Sequence, residues 1–265
     1  MHDTPGRSAV DFVASKVPAV TLGFWIIKIL ATTLGETGGD TVSMTMNLGY
    51  LSSTFIFLGI LAVLVVAQIV AKRFNAWLYW ATIIASTTAG TTLADFATRS
   101  LGIGYAGGSA ILLASVLAVL VTWQLSEKSI SVDTVNTPRV EVFYWAAITI
   151  SQTLGTALGD WLADDAGFGF LGGAGFFAAA LIVVAVLYFR TSISRALLFW
   201  AAFILTRPLG ATVGDFLDKP FDHGGLAMSR PIATAVLGAL ILAGILLFPQ
   251  KAGGHPGKAA SPAAS

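Results

Sequence analysis

The stretch "TLGETGGDTVS", residues 33–43, ends an apolar segment with two acidic side chains, Glu36 and Asp40. Three later stretches repeat its core pattern of a glycine, a small residue four positions on, and then an aspartate: "GTTLAD" (90–95), "GTALGD" (155–160) and "GATVGD" (210–215). An aromatic-Trp pair precedes every copy, and its Trp lies ten positions before the glycine. Self-similarity in a fixed register is typical of a repeat architecture. The sequence therefore predicts four copies of one structural unit.

Composition places these units in a membrane. Of the 265 residues, 55% are hydrophobic and only 11% are charged, whereas about a quarter of the residues in a soluble domain are charged. After each aspartate, a short glycine-rich connection leads into a second apolar segment, at about 51–71, 109–125, 173–189 and 231–248. Apolar runs of this length can cross a bilayer. We predict an all-α polytopic membrane protein with eight transmembrane helices, formed by four parallel helical-hairpin repeats.

The spacing of the repeats indicates how the chain is divided. Successive repeat tryptophans are 55, 65 and 55 residues apart, and the longer middle interval contains the polar stretch "SEKSISVDTVNTPRVE". This spacing indicates that a two-hairpin unit was itself duplicated. The predicted divisions are a cytoplasmic N-terminal segment, a first membrane unit, a cytoplasmic linker, a second membrane unit and a disordered low-complexity tail: 1–16, 17–125, 126–141, 142–248 and 249–265. The N-terminal segment lacks the pattern of a cleaved signal peptide.

Basic residues predict the orientation. They cluster in the connections between repeats, and the positive-inside rule places those connections and both termini in the cytoplasm. Each motif aspartate follows its Trp by 15 residues, which is about 22 Å along a helix axis. In a hydrocarbon core of about 30 Å, the aspartates then lie beyond the midplane, toward the outer side.

The motif also predicts a shared polar site. Side chains four residues apart share a helix face, and the small-xxx-small glycines let membrane helices approach closely. We expect the motif acids and nearby hydroxyls to converge on one axis: Glu36, Asp40, Asp95, Asp160, Asp215, Thr91 and Thr156. The candidate buried bases, Lys28 and Arg207, with Arg99 at the rim, are too few to neutralise these acids. A carboxylate in hydrocarbon needs a partner, a proton or water, so a mobile cation is the expected neutraliser.

The expected ligand atoms favour a hard divalent ion. Carboxylate and hydroxyl oxygens suit magnesium, calcium or manganese. Met44 lies one helical turn beyond Asp40, and a thioether is a better ligand for manganese than for magnesium. Other roles remain open for the same residues: the glycines can serve packing alone, the aspartates can cap helices, and the threonines can bond their own backbone. The outer-loop acids Asp164, Asp165, Asp218 and Asp222 are expected to form a solvated rim.

The four motifs resemble those of a family of bacterial inner-membrane proteins described as repeat-containing, membrane-anchored and of unassigned function, over about residues 17–248. That resemblance implies eight helices and a bacterial inner-membrane location. The first motif is also similar to the acid-x-Gly-Asp-basic-Thr/Ser motif of manganese and calcium cation/proton exchangers, through Glu36, Gly39, Asp40 and Thr41. An extra glycine intervenes, the basic residue is missing, and the other three repeats lack the glutamate.

We therefore expect a secondary transporter of a hard divalent cation, manganese before magnesium or calcium, that exports its ion by exchange for protons. Its partners would be the cation, protons and the lipid bilayer, with no cofactor and no nucleic acid. A passive cation channel and a non-transporting scaffold or partner subunit are the alternatives. An enzyme is the least expected class, because the chain has no cysteine, no phosphate-binding loop and no sizeable soluble domain.

Overall fold

The computed structural model describes residues 15–253. Over this range the chain forms eight long α-helices, here numbered in order: α1 Leu22–Asp40, α2 Tyr50–Val70, α3 Ala76–Asp95, α4 Tyr105–Glu127, α5 Pro138–Asp160, α6 Gly169–Arg190, α7 Arg195–Asp218 and α8 Arg230–Leu247. The described residues contain no strand beyond one isolated bridge. The predictions of an all-α fold and of four repeats are confirmed.

Local sequence explains where the first helices of the repeats begin. Thr21, Asn75 and Thr137 are N-caps whose side-chain oxygens accept hydrogen bonds from backbone N–H groups three residues on, at 3.3, 3.1 and 3.5 Å. These bonds satisfy donors that a helix start leaves free. Pro138 at the first turn of α5 has no N–H to satisfy.

The first three repeats break their α-helix directly after the motif aspartate. A five-residue π-helical turn follows in each, at Thr41–Thr45, Phe96–Ser100 and Trp161–Asp165. The fourth repeat differs, because α7 continues as an α-helix to Asp218. Its loop then folds back onto the helix end, where the backbone N–H groups of residues 226–228 donate to the carbonyls of residues 216, 219 and 217 at 2.8 Å. Both arrangements place the residues just after each aspartate over the same end of the bundle.

The first helices of the four repeats, α1, α3, α5 and α7, form a closed ring. Each motif glycine lies against the residue three positions before the motif glycine of the next ring helix, in the pairs Gly35–Thr87, Gly90–Gln152, Gly155–Arg207 and Gly210–Thr32. A Cβ atom on any of these glycines would overlap its neighbour. The glycines therefore set the close approach of the helices and give the ring a four-fold-like register, as small residues do at membrane helix contacts.

The second helices pack around the outside of this ring. Helix α2 lies mainly against α3, α4 against α5 and α6 against α7, while α8 returns to α1 and closes the circle. The structure thus differs from four self-contained hairpins, because each second helix packs chiefly on the first helix of the next repeat. The glycine faces of the ring helices are already occupied by one another, so the outer helices fill the grooves that remain.

Aromatic side chains close one end of the ring, here named the Trp end. The residues before the repeat tryptophans form a buried layer of Phe24, Tyr79, Tyr144 and Phe199. The Tyr79 and Tyr144 hydroxyl oxygens are 2.7 Å apart, and the Phe24 ring centroid lies 6.2 Å from that of Phe199. The opposite end, which carries the motif aspartates, is here named the aspartate end.

The segments outside the helices cover the Trp end. Residues 249–253, which the sequence analysis places in the tail, pair with the start of the described chain through a bridge between Pro18 and Ala252. The connection at the predicted linker is shorter than predicted, since α4 ends at Glu127 and α5 begins at Pro138. Residues 1–14 and 254–265, where most of the predicted N-terminal segment and tail fall, lie outside the described residues.

Among the helices of residues 15–253, five are long and apolar enough to cross a membrane: α2, α4, α6, α7 and α8. The other three, α1, α3 and α5, carry the acids, hydroxyls and glycines of the ring, which lower their apolar content. The outer helices expose large apolar side chains, such as Phe189 and Leu247, each 79% exposed. The polar side chains thus face inward and the apolar ones outward, the reverse of a water-soluble bundle.

Candidate cation site

The motif acids meet inside the aspartate end of the ring. All four aspartates are buried, with exposed fractions of only 1–2%. One turn further in lie Glu36, Thr91, Thr156 and Ala211, which are also buried. The second small residue of three motifs sets this layer, in the contacts Gly39–Thr91, Gly159–Ala211 and Gly214–Glu36. Seven of the predicted site residues, every one except Met44, are therefore brought to one polar column on the ring axis.

Two basic side chains clamp the aspartates in pairs. Lys219 Nζ lies 2.9 Å from Asp215 Oδ1 and 3.0 Å from Asp40 Oδ2. Each base comes four residues after a motif aspartate, so it reaches its own carboxylate and that of the next ring helix.

The second clamp has the same geometry on the opposite side of the ring. Arg99 Nε lies 2.9 Å from Asp95 Oδ1, and Arg99 Nη2 lies 3.1 Å from Asp160 Oδ2. The clamps thus join α7 to α1 and α3 to α5, and leave the other two ring contacts unclamped.

A third base reaches the site from the start of α8. Arg230 Nε lies 3.2 Å from Asp218 Oδ2 and 3.6 Å from Asp40 Oδ2. Lys219 and Arg230 were not predicted, because they come from the loop side of the ring and not from its helix interiors. The acids still outnumber the bases, since six carboxylates share four basic side chains, Arg99, Arg207, Lys219 and Arg230. The expectation of a solvated Asp218 was wrong, since its side chain is fully buried against Arg230.

Arg207 holds the inner acid. Its Nη2 lies 3.0 Å from Glu36 Oε2 and 2.5 Å from the hydroxyls of both Thr91 and Thr156. Thr91 in turn donates to the Gly35 carbonyl at 3.0 Å. In this arrangement the two hydroxyls accept from Arg207, so they orient the guanidinium and do not face an ion directly.

Hydroxyls deeper in the ring serve their own helices. Thr33, Thr88 and Thr153 donate to the carbonyls four residues earlier, at 3.0, 2.8 and 3.0 Å. This is the local bonding that threonine commonly makes within a helix. The predicted ladder of hydroxyls is therefore closed off by backbone at these positions. The motif aspartates of the first three repeats, by contrast, make no capping hydrogen bond to the turn that follows.

Three acids form a group that could hold a metal ion. Single carboxylate oxygens of Glu36, Asp40 and Asp215 all lie within 4.8 Å of one another. Oxygen ligands about 2.3–2.6 Å from a shared hard cation are separated by distances of this size. Asp95 and Asp160 are outside this group and are held by Arg99. The geometry thus favours one asymmetric site beside α1 and α7 over a symmetric site on the ring axis.

A cavity of about 320 Å³ opens above the acids at the aspartate end. Four of its lining residues occupy one repeat position, four residues after the motif aspartate: Met44, Arg99, Asp164 and Lys219. Phe170, Pro220, His223 and Arg230 complete the lining. Met44, predicted as a ligand, therefore lies in the wall of this cavity, outside the three-carboxylate group.

The surroundings of the cavity raise the pKa values of two of its lining residues, Lys219 and Asp164. Burial opposes the charge on Lys219, but the carboxylates of Asp215, Asp40 and Asp218 outweigh it and raise the pKa of Lys219. Partial burial, together with the negative charge of Asp215, raises the pKa of the Asp164 carboxyl. Lys219 is therefore a firmly charged ammonium at the boundary between the cavity and the buried acids.

Two of these bases, Arg99 and Lys219, occupy a position that the repeats make recognisable in the sequence. Comparison of the position four residues after each motif aspartate gives Met44, Arg99, Asp164 and Lys219. Only the second and fourth repeats have a base at this position. Because residues spaced i,i+4 share a helix face, each base is expected to pair with its own motif aspartate, which predicts two clamps on opposite sides of the ring.

One family matches the chain through all four repeats. The family described as Repeat of Unknown Function (DUF347) matches residues 23–74, 78–129, 143–194 and 198–251. The chain belongs to this family. Each DUF347 match covers a ring helix and the outer helix that follows it, so the predicted resemblance to a repeat family of unassigned function is confirmed. No curated protein and no solved structure gives a significant match. The similarity of the first motif to cation/proton exchangers is not shown by these comparisons.

Proposed function

We propose that this DUF347 protein is a multi-pass protein of the bacterial inner membrane that carries a hard divalent cation in exchange for protons, with manganese the favoured ion. The observation that carries this proposal is the group of three buried carboxylates, Glu36, Asp40 and Asp215, beneath an open cavity. Asp95 and Asp160 contribute further exchangeable carboxylates on the other side of the ring. Crowded carboxylates bind protons more readily, which lets protons and metal compete for the same oxygens.

The outward-facing apolar surface supports the membrane location. The outer helices are apolar on their exposed faces, and five helices of the described chain meet the length needed to span a bilayer. The exposed bases Lys72, Arg73 and Arg190 lie in the connections at the Trp end. By the positive-inside rule the Trp end faces the cytoplasm and the aspartate end faces outward.

Lys219 supports a site that exchanges its occupant. Its ammonium lies between Asp40 and Asp215, where it supplies one positive charge to the three-carboxylate group. Arg207 supplies a second positive charge through Glu36. Three carboxylates with these two bases leave one negative charge, whereas a divalent ion in place of Lys219 makes the group neutral. Lys219 is thus a tethered substitute for the ion, and withdraws toward the cavity when the ion binds.

The two ends of the ring support a carrier over an open channel. The cavity at the aspartate end is lined by the bases that hold the motif aspartates, Arg99, Lys219 and Arg230, while the buried aromatic layer around Tyr79 and Tyr144 closes the Trp end. A carrier opens its site to one side at a time, as alternating access requires. The Trp-end layer is the part that has to open for the ion to reach the cytoplasmic side.

A static scaffold is the second candidate, and the salt bridges favour it. Each of the five acids has a protein base within 3.1 Å, so no carboxylate of the site lacks a cationic partner when no ion is bound. In this alternative the two clamps hold the ring helices together and nothing passes between them. The same transport experiment separates the two functions.

The experiment is manganese flux into liposomes that contain the purified protein and a manganese-sensitive dye, with and without a pH gradient. If the protein is a carrier, manganese should enter faster when the liposome interior is more acidic than the outside, because protons then leave in exchange. Asp40→Asn should abolish this flux. Asp222→Asn is the matched control, because Asp222 is an exposed loop aspartate, and it should leave the flux unchanged. Absence of flux for manganese, magnesium and calcium would support the scaffold, and flux indifferent to the pH gradient would support a channel.

A further inference from the structure

Two buried basic side chains beneath the acids, Lys28 and Arg207, keep N–H donors that no described residue satisfies. Lys28 and Arg207 are both 0% exposed. They come from α1 and α7, which are neighbours in the ring. Between the motif acids and the aromatic layer, the only other charged side chain on the ring helices is Glu36. This part of the described column therefore carries an excess of one positive charge.

Lys28 lacks a carboxylate. Within residues 15–253 it makes no ion pair, and its only hydrogen bond is a long one of 3.4 Å to Gln152 Oε1. Its Nζ also lies 4.1 Å from the centroid of the Phe203 ring. A buried ammonium has three donors to satisfy, and its burial without a counter-charge is costly. The environment of Lys28 thus leaves donors free for a ligand.

Arg207 has donors to spare on the same side of the ring. Only its Nη2 is engaged by Glu36, Thr91 and Thr156, while Nε and Nη1 are buried and have no partner among the described residues. Phe203, which Lys28 Nζ covers, lies one helical turn before Arg207 on α7. Lys28 thus contacts α7 one helical turn from the residue that carries the free donors, on the Trp-end side of Arg207.

Comparison of the four ring helices shows that a basic residue occurs at the Lys28 position in α1 alone and at the Arg207 position in α7 alone. The residues equivalent to Lys28 in the other ring helices are Ile83, Ile148 and Phe203, and those equivalent to Arg207 are Thr32, Thr87 and Gln152. All of these are buried. The N–H donors of Lys28 and Arg207 are thus surrounded by uncharged side chains, half of them apolar, which suits a small anion that sheds its water readily, and a rigid guanidinium is well suited to hold one.

We propose that Lys28 and Arg207 bind a small monovalent anion such as chloride on the ring axis, between the carboxylate group and the aromatic layer. The anion neutralises the excess positive charge and satisfies the free donors of both side chains. This site is separate from the cation site, because it lies on the other side of the Arg207–Glu36 pair. It does not depend on divalent metal transport, so it can be tested with chelator present.

The test measures the melting temperature of detergent-purified protein in EDTA, in sodium chloride and in sodium gluconate at equal ionic strength. Ligand linkage predicts a rise of roughly 5 °C in chloride at about 100 times the dissociation constant, and the rise should grow with the logarithm of the chloride concentration. Lys28→Met should abolish the rise. Lys72→Met, the same substitution at an exposed position, should keep it. Equal melting temperatures of the wild type in both salts, or equal loss of the effect in both variants, would overturn the proposal.

A second measurement needs no variant and so decides the matter if Lys28→Met does not fold. Wild-type protein should retain radiolabelled chloride in a saturable way, and unlabelled bromide should displace it. In crystals soaked with bromide, the anomalous signal should lie between Lys28 Nζ and the guanidinium of Arg207. Absence of saturable retention, or a bromide position elsewhere, would show that water or a neutral amine accounts for Lys28 instead.

Discussion

Arg207→Met removes one partner of the Arg207–Glu36 salt bridge, which is the most deeply buried ion pair among the described residues. Arg207 Nη2 lies 3.0 Å from Glu36 Oε2, and the two side chains are 0% and 3% exposed. Loss of the base strands a buried carboxylate, which costs about 3–5 kcal/mol for such pairs. Methionine keeps much of the volume, so the cost is mainly electrostatic. Additional loss comes from Thr91 and Thr156, whose hydroxyls accept from the same nitrogen.

The exposed pair Arg139–Glu127 provides the matched control. Its nitrogen–oxygen distance is 2.9 Å, but its side chains are 70% and 26% exposed. Solvent screening limits such pairs to about 0–1 kcal/mol, so Arg139→Met should change little. The assay is the free energy of unfolding in detergent micelles at constant chloride, for the single variants Arg207→Met, Glu36→Gln and Arg139→Met and for the double variant Glu36→Gln with Arg207→Met.

The double variant should recover stability relative to Arg207→Met, because it removes the stranded charge. The coupling free energy between the two substitutions should then be about 2–3 kcal/mol, at the upper end of the range of about 0.5–3 kcal/mol for residues in one network. Strictly additive effects, or an Arg207→Met variant as stable as Arg139→Met, would refute the view that Glu36 is a charged partner of Arg207.

Three further perturbations test the ring and its clamp. Lys219→Gln removes the tethered ammonium between Asp40 and Asp215, so manganese should bind about tenfold tighter in calorimetric titration. Unchanged or weaker binding would contradict the exchange of Lys219 for the ion. Gly90→Leu places a side chain against the backbone of Gln152 and should lower the free energy of unfolding by about 3 kcal/mol. Gly59→Leu, on the open face of α2, should change it by no more than about 0.5 kcal/mol. Equal effects of the two substitutions would contradict the role of the motif glycines in helix packing. The carboxylates raise the pKa of Lys219 above its unfolded value, so the stability it adds is complete below about pH 10 and is lost as pH rises through the folded pKa. The stability difference between wild type and Lys219→Gln should therefore be constant from about pH 7 to 9 and shrink only at higher pH, and a difference that disappears near neutral pH would contradict the clamp.

Repeat register carried most of the fold prediction. The positions of the motif glycines and aspartates are fixed relative to one another, so four equivalent helices could be recognised from the sequence alone. Small-xxx-small spacing then predicted that these helices approach closely, and the contacts of Gly35 and Gly155 show where they do. Which outer helix packs on which ring helix could not be predicted in this way, because the outer helices are almost uniformly apolar and carry little register information.

The candidate site was predictable in part. Burial of the acids followed from their place at the ends of apolar segments, and Glu36 was singled out by its spacing from Asp40. Lys219 was predictable from its spacing of four residues after Asp215, whereas Arg230 was not, because the loop that precedes α8 determines where its side chain points. The backbone hydrogen bonds of residues 226–228 fold that loop back over the acids, which no local pattern of residues announces.

The most direct test of the central claim is the position of manganese in the protein itself. Crystals grown with manganese should show an anomalous scattering peak about 2.0–2.6 Å from carboxylate oxygens of Glu36, Asp40 and Asp215, with Lys219 turned away toward the cavity. A structure at saturating manganese that has no peak among these oxygens, and Lys219 still between Asp40 and Asp215, would contradict the account.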